Sequence, residues 1–105
     1  MSARKFDLHS GKENFGIVQV EHVQGYIRVK LHDTEILHYS RNYNTVRLHT
    51  GGWYSVTTKR AMNTALHQLR GFEGTLVYQK KGEWYVQHNG IDMFFEDDML
   101  LHRKA

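Results

Sequence analysis

The chain has 105 residues, of which 40% are hydrophobic, and a formal net charge of +3. That length supports one small domain with a single modest core and excludes two cores. The absence of cysteine excludes disulfides and thiolate metal sites, and no apolar run approaches the roughly 20 residues of a membrane span. We therefore expect one domain over residues 1–105 in a soluble, intracellular protein.

Apolar and polar residues alternate through the first half of the chain, as in Ile27-Arg28-Val29-Lys30-Leu31. Such alternation predicts antiparallel strands with one face in water. The predicted strands cover residues 16–23, 26–31, 35–39 and 45–50, and residues 53–56 are candidates to extend the last hairpin. The first 14 residues are mostly polar and are expected to be loosely held.

Beyond Thr58 the apolar residues take up helical spacing, which predicts the one helix of the chain. They are Met62, Ala65, Leu66 and Leu69. Gly71 fits a helix C-cap. Strands are predicted again over residues 75–79, 83–88 and 91–95, and Asn89-Gly90 predicts a type I′ hairpin. The fold class is therefore α+β, a twisted antiparallel β-sheet of hairpins packed against one short α-helix.

Residues 36–72 contain no Asp or Glu but carry five cations. These are Arg41, Arg47, Lys59, Arg60 and Arg70. Acidic residues lie before and after this segment, so one interpretation is a basic face for an anionic partner. The other interpretation is that the blocks mix in space once the chain folds.

The centre of the basic segment reads Thr50-Gly51-Gly52-Trp53-Tyr54-Ser55-Val56-Thr57-Thr58-Lys59-Arg60, a glycine-rich turn followed by a helix start. First-turn amides, hydroxyls and two cations together suit a phosphate. Thr57 or Thr58 is expected to cap the helix. The spacing is not that of a Walker loop, and an ordinary capped helix is the competing interpretation. The predicted ligand-binding residues are Gly51, Gly52, Trp53, Tyr54, Thr57, Thr58, Lys59, Arg60 and Asn63.

The predicted helix also carries a polar face opposite its apolar stripe. That face consists of Lys59, Asn63, His67 and Arg70, and no acid interleaves them. It is either an ordinary solvated face or a surface for a ligand or partner. Arg47, His67 and Arg70 are assigned to a secondary basic face around the site.

Adjacent aromatic residues occur at Trp53-Tyr54 and Trp84-Tyr85. Neighbours in a strand point to opposite faces, so one member of each pair is expected in the core. The outward member is a candidate to stack a nucleic-acid base.

Eight histidines occur in the chain, but they show no His-x-x-x-His or His-x-His spacing and no carboxylate at ligand spacing. His38 and His49, on adjacent predicted strands, are the one pair that could face each other. No nucleophile motif is present either. We expect no catalytic residues, no metal and no cofactor.

Four segments resemble those of small proteins encoded by tailed bacteriophages. They are residues 31–37, residues 48–63 with a Gly-Gly-Trp turn, a Thr-Thr-Lys step and a helix carrying Met-Asn, then Trp84-Tyr85-Val86 and residues 95–99. The likeness covers a core of residues 26–100 and implies no particular activity. A phage origin would place the protein in the host cytoplasm, where such proteins bind host defence or transcription components, sequester a nucleotide signal or coat nucleic acid.

The favoured hypothesis is a non-enzymatic binder that holds a nucleotide or nucleic-acid phosphate, with Trp53 or Tyr54 stacking a base. The main alternative is an inhibitor that docks its basic face on an acidic host protein. A small metal-dependent hydrolase using histidines is the second alternative. Edge strands of such a meander also allow a homodimer.

Overall fold

The structure, a computed structural model, describes residues 6–103. Within these residues, nine strands and one helix follow one another. They are β1 (Asn14–Phe15), β2 (Val18–Val23), β3 (Tyr26–Leu31), β4 (Thr34–Ser40), β5 (Thr45–Leu48), α1 (Val56–Leu66), β6 (Leu76–Lys80), β7 (Glu83–His88), β8 (Ile91–Phe94) and β9 (Met99–His102). The α+β class is confirmed, and the antiparallel strands divide into two sheets.

The larger sheet has six strands in the order β1-β2-β3-β4-β5-β9. Its first five strands form a meander, and β9 returns from the far end of the chain to pair antiparallel with β5. The alternating pattern of β3 explains its placement, since Ile27, Val29 and Leu31 are buried while Arg28 and Lys30 are not.

The smaller sheet has three strands in the order β6-β7-β8. The turn between β7 and β8 has φ of 53° at Asn89 and 78° at Gly90. Positive φ at both central residues is what a type I′ turn requires, so the predicted hairpin turn is confirmed. Lys81 and Gly82, with φ of 52° and 80°, join β6 to β7 in the same way.

Helix α1 begins and ends earlier than the sequence predicts. Ser55 is its N-cap, in place of Thr57 or Thr58, and the Ser55 side chain accepts a hydrogen bond from the Thr58 amide. The helix ends at Leu66 with His67 as C-cap, so Gly71 follows a turn rather than capping the helix. Residues 53–55 precede the helix without forming the expected strand extension.

The core lies between α1 and the two sheets. The helix contributes Ala61, Met62, Ala65 and Leu66, all fully buried. Phe72 follows the helix and packs edge-on to Tyr39 of the large sheet and parallel to His88 of the small one. The loop after the helix therefore joins the two sheets into one core.

The N-terminal segment touches the same region. Phe6 and Leu8 are buried. The side-chain amide of Gln68 donates a hydrogen bond to the Phe6 carbonyl and accepts one from the Leu8 backbone amide. Of the segment expected to be loosely held, residues 1–5 lie outside the described residues. No helix among residues 6–103 is long and apolar enough to cross a membrane.

Candidate functional site

A cleft of about 480 Å³ opens between the β3–β4 turn and the start of α1. We call it the Trp53 cleft. Its lining consists of Ile17, Leu31, His32, Asp33, Thr34, Ile36, Thr50, Trp53, Ser55, Thr57 and Thr58. The floor is apolar, and hydroxyl groups and one carboxylate stand on its walls. Such a combination suits a ligand with a flat apolar part and a few polar groups.

Trp53 lines this cleft and is exposed: 71% of its surface is open to solvent. An exposed indole beside an apolar floor is an unusual surface for a small domain, because large apolar groups are normally buried. A planar ring entering the cleft would cover the indole face and regain that apolar contact.

Hydrogen bonds of the buried residue Thr50 hold the loop that carries Trp53. The Thr50 amide and hydroxyl both donate to the Asp97 carboxylate, at 2.7 and 2.8 Å. The Thr50 hydroxyl oxygen then accepts from the Gly52 amide at 3.1 Å, and the Trp53 amide donates to the Thr50 carbonyl. Gly51, with φ of 64°, approaches so closely that an added Cβ would lie 3.0 Å from the Thr34 methyl. The loop is thus held against the β3–β4 turn.

The start of α1 supplies the polar wall. Ser55 adopts an extended conformation, and its hydroxyl oxygen lies 3.1 Å from the Thr58 amide and 3.0 Å from the Thr58 hydroxyl. The first turn of α1 contains no acidic residue. An anion is therefore the charge that the helix dipole favours here.

Asp33 stands on the opposite wall and is the one formally charged residue that lines the Trp53 cleft. A carboxylate opposes an anion in the cleft through Coulomb repulsion. The sequence prediction did not include Asp33, although its position in the β3–β4 turn was readable from the strand pattern.

The predicted ligand-binding residues divide among several places. Trp53, Thr57 and Thr58 meet in the Trp53 cleft. Gly51 lies on the other side of the same loop, in a second cleft with Arg47. Gly52 is exposed, with open space where a Cβ would stand.

Tyr54, Lys59 and Asn63 face the small sheet. The Tyr54 ring packs edge-on to Trp84 at 5.1 Å, and the Lys59 ammonium lies 5.8 Å from the centre of the Trp84 ring. The Asn63 side chain donates to the Val77 carbonyl and accepts from the Val77 amide, at 2.9 and 2.8 Å. The polar face predicted for the helix is consequently split, because its first half covers β6 and β7.

The remaining predicted basic residues, Arg60, His67 and Arg70, are exposed to solvent. Arg60 lies near the start of α1, while His67 and Arg70 lie at and beyond its other end. The 11 residues of the helix span roughly 16 Å. His67 and Arg70 are therefore separated from the Trp53 cleft by about the length of the helix.

The second cleft, of about 380 Å³, contains two histidines next to carboxylates. We call it the histidine cleft. The His38 Nδ1 atom lies 2.9 Å from a Glu35 oxygen, and the His49 Nδ1 atom lies 3.1 Å from an Asp98 oxygen. The second pair is close in distance but is not aligned as a hydrogen bond, since the buried His49 Nδ1 has no such partner among the described residues. No group of three or more metal-ligating side chains occurs within residues 6–103.

A protein-family model described as Kyanoviridae Gp96 protein matches residues 5–102. The chain belongs to this phage protein family. The matched region includes the Trp53 cleft, both sheets and the residues before Tyr26 that lay outside the core noted from sequence. No curated protein and no solved structure matches the chain.

Proposed function

We propose that this member of the Kyanoviridae Gp96 family is a non-enzymatic binding protein that holds a nucleotide in the Trp53 cleft. The base stacks on Trp53 above the apolar floor, and the phosphate meets the start of α1. The protein would act in the host cytoplasm by withholding such a ligand from host defence or by using it as a signal. This narrows the ligand site predicted from sequence to Trp53, Thr57, Thr58 and the newly included Ser55.

The observation that carries the proposal is the conjunction of an exposed indole with a capped helix start in one cleft. Trp53 and Ser55 are two residues apart, so the same short loop positions the ring and the first-turn amides. Stacking of a base on an aromatic side chain contributes about 1–3 kcal/mol. A phosphate at a helix start adds a favourable charge interaction.

The tryptophans allow a direct test, because the chain contains two and Trp84 is buried. In a Trp84→Phe variant, fluorescence reports on Trp53 alone. Titration with mono-, di- and cyclic nucleotides should quench it saturably and raise the melting temperature. The matched Trp53→Phe variant keeps only the buried Trp84 and should show little quenching. If no nucleotide changes either signal, the proposal is wrong.

A substitution at Asp33 provides a second test of nucleotide binding in the Trp53 cleft. Asp33→Asn removes the carboxylate that opposes an anion while keeping the shape of the exposed turn. We expect tighter binding of the phosphate-bearing ligand and unchanged binding of the matching nucleoside. Equal changes for nucleotide and nucleoside would show that the phosphate does not enter the cleft.

A second candidate function is the docking of an acidic host protein. Trp53, Tyr54 and Val56 lie within four residues of one another in the sequence and expose 71%, 52% and 53% of their surfaces. Arg60 is exposed one helical turn after Val56. Aromatic residues and arginine are enriched at protein interfaces. In this case nucleotides leave the Trp53 signal unchanged, and Arg60→Glu together with Trp53→Ala abolishes capture of the partner without lowering the melting temperature.

A further inference from the structure

The small sheet presents a row of aromatic rings on its outer face. Tyr78 of β6, Tyr85 of β7 and Phe94 of β8 lie opposite one another in the strand register. The neighbouring rings are nearly parallel, with centroid distances of 5.4 and 5.1 Å. Trp84 and Val86 point to the other face and are buried, so Tyr85 is the outward member of the Trp84-Tyr85 pair. The prediction of one core member is wrong for Trp53-Tyr54, because both residues lie outside a strand and are exposed.

The end ring of this row is open to solvent, whereas Tyr78 and Tyr85 are half-buried. Phe94 exposes 65% of its surface, and β8 pairs on one side only, with β7. Cross-strand aromatic pairs stabilise a sheet, but an end ring open to water gains little from such contact. Within residues 6–103, no other element covers the outer side of Phe94.

A groove of about 470 Å³ runs along the row. We call it the tyrosine groove. Its polar lining consists of Lys80, Lys81 and Asp92, in addition to the aromatic rings. The Asp92 carboxylate accepts a hydrogen bond from the Tyr78 hydroxyl at 2.8 Å. The lining therefore contains two lysines and one carboxylate that is already engaged, which gives it a net positive charge, while Glu83 lies opposite Lys80 in the strand register outside this lining.

Rings in a row on an open antiparallel sheet, with lysines at one end, match the chemistry of single-stranded nucleic acid. Successive unpaired bases offer flat faces to aromatic side chains, and their phosphates follow a cationic groove. A duplex covers its bases by stacking and cannot use the rings.

We propose that the outer face of the small sheet binds single-stranded nucleic acid, with a base stacked on the exposed ring of Phe94 at the end of the aromatic row and phosphates at Lys80 and Lys81. This surface lies on other elements than the Trp53 cleft, and the proposal does not depend on nucleotide binding there.

Fluorescence anisotropy with labelled eight-nucleotide oligo-dT and oligo-U, and with a duplex of equal length, tests the proposal. Phe94→Leu keeps an apolar side chain but removes the ring, whereas Phe94→Tyr keeps the ring. Because Phe94 is exposed, neither change should lower the melting temperature appreciably. We expect Phe94→Leu to weaken single-strand binding about fivefold or more and Phe94→Tyr to bind as the unchanged protein does.

The lysines are tested by their effect on salt dependence. Lys80→Gln with Lys81→Gln should make the logarithmic salt slope shallower by about 1.4, or 0.7 for each lost phosphate contact. The control removes two cations elsewhere, Lys30→Gln in β3 with Arg41→Gln in the β4–β5 turn, and should leave the slope nearly unchanged. Equal affinity of Phe94→Leu and unchanged protein, equal slopes for the two double variants, equal binding of the duplex, or no binding of either oligonucleotide would each overturn the proposal.

Discussion

Asp97 fixes the geometry of the Trp53 cleft from 47 residues away along the chain. Its carboxylate accepts from both the amide and the hydroxyl of fully buried Thr50. From sequence, the acidic residues 96–98 are most simply a solvated turn before the last strand. Long-range pairing of this kind leaves no local pattern, so the role of Asp97 could not be predicted from the sequence.

Asp97→Ala leaves the two buried donors of Thr50 without an acceptor. Unsatisfied buried polar groups cost about 1–3 kcal/mol, and we expect the free energy of unfolding to fall by about that amount. Chemical denaturation measures it. The matched control is Glu96→Ala, which removes an exposed neighbouring carboxylate. If both variants lose equal stability, net charge rather than the Thr50 contacts accounts for the effect.

Glu73 gives stability a dependence on pH. Hydrogen bonds from its own backbone amide, and then from the Gly71 amide, lower the pKa of Glu73. A carboxyl group whose pKa is lower in the folded protein stabilises the fold above its unfolded pKa of about 4.3, and this contribution is lost as pH falls through the folded pKa.

Glu73→Gln should therefore reduce stability near neutral pH and have little effect near pH 2. Thermal unfolding followed between pH 2 and 7 measures the difference between the two proteins. A difference that stays constant over the whole range would contradict the role of the carboxylate charge.

Among the elements, α1 was predicted correctly in its buried positions but not in its first residue. Its buried positions Met62, Ala65 and Leu66 follow helical spacing and were predicted correctly. Its start was misplaced because Ser55, Thr57 and Thr58 are all hydroxyl residues able to cap a helix. The spacing alone does not choose among them, whereas in the fold the Ser55 side chain accepts from the Thr58 amide and Thr58 is buried within the helix.

Ser55→Ala removes the acceptor for the Thr58 amide. Loss of an N-cap costs about 0.5–2 kcal/mol, and denaturation should detect it. Ser55→Asp keeps an acceptor and adds a charge that the helix start favours, so it should retain stability. Equal destabilisation by Ala and Asp would show that the Ser55 hydroxyl acts otherwise than as a cap.

At the scale of the whole molecule, the local hairpins were predictable and the division into two sheets was not. Turn signals such as Asn89-Gly90 determine which neighbouring strands pair. Nothing local indicates that β9 joins β5 across the intervening helix and small sheet. The predicted ligand residues likewise form one block in the sequence, yet in the fold Lys59 and Asn63 pack against β6 and β7.

The β5–β9 pairing predicts the effect of shortening the chain. Removal of residues 99–105 exposes the β5 edge and deletes the His102 carbonyl, which lies 2.6 Å from the buried His88 Nε2 atom. We expect loss of the single cooperative unfolding transition, measured by circular dichroism on heating. The control retains β9 and removes only residues 104–105. A truncated protein that still unfolds cooperatively would mean that β9 is dispensable.

Both ends of the described chain lie near the far end of α1 from the Trp53 cleft. Gln68 bonds Phe6 and Leu8, and the Arg103 side chain occupies the space where a Cβ on Gly71 would stand. Because residues 6 and 103 lie at this end of the molecule, we expect an affinity tag or a surface linker attached beyond them to keep clear of the cleft. Immobilised protein can be presented with the cleft towards the solution from either terminus, and agreement between the two orientations becomes an internal check on any measured affinity.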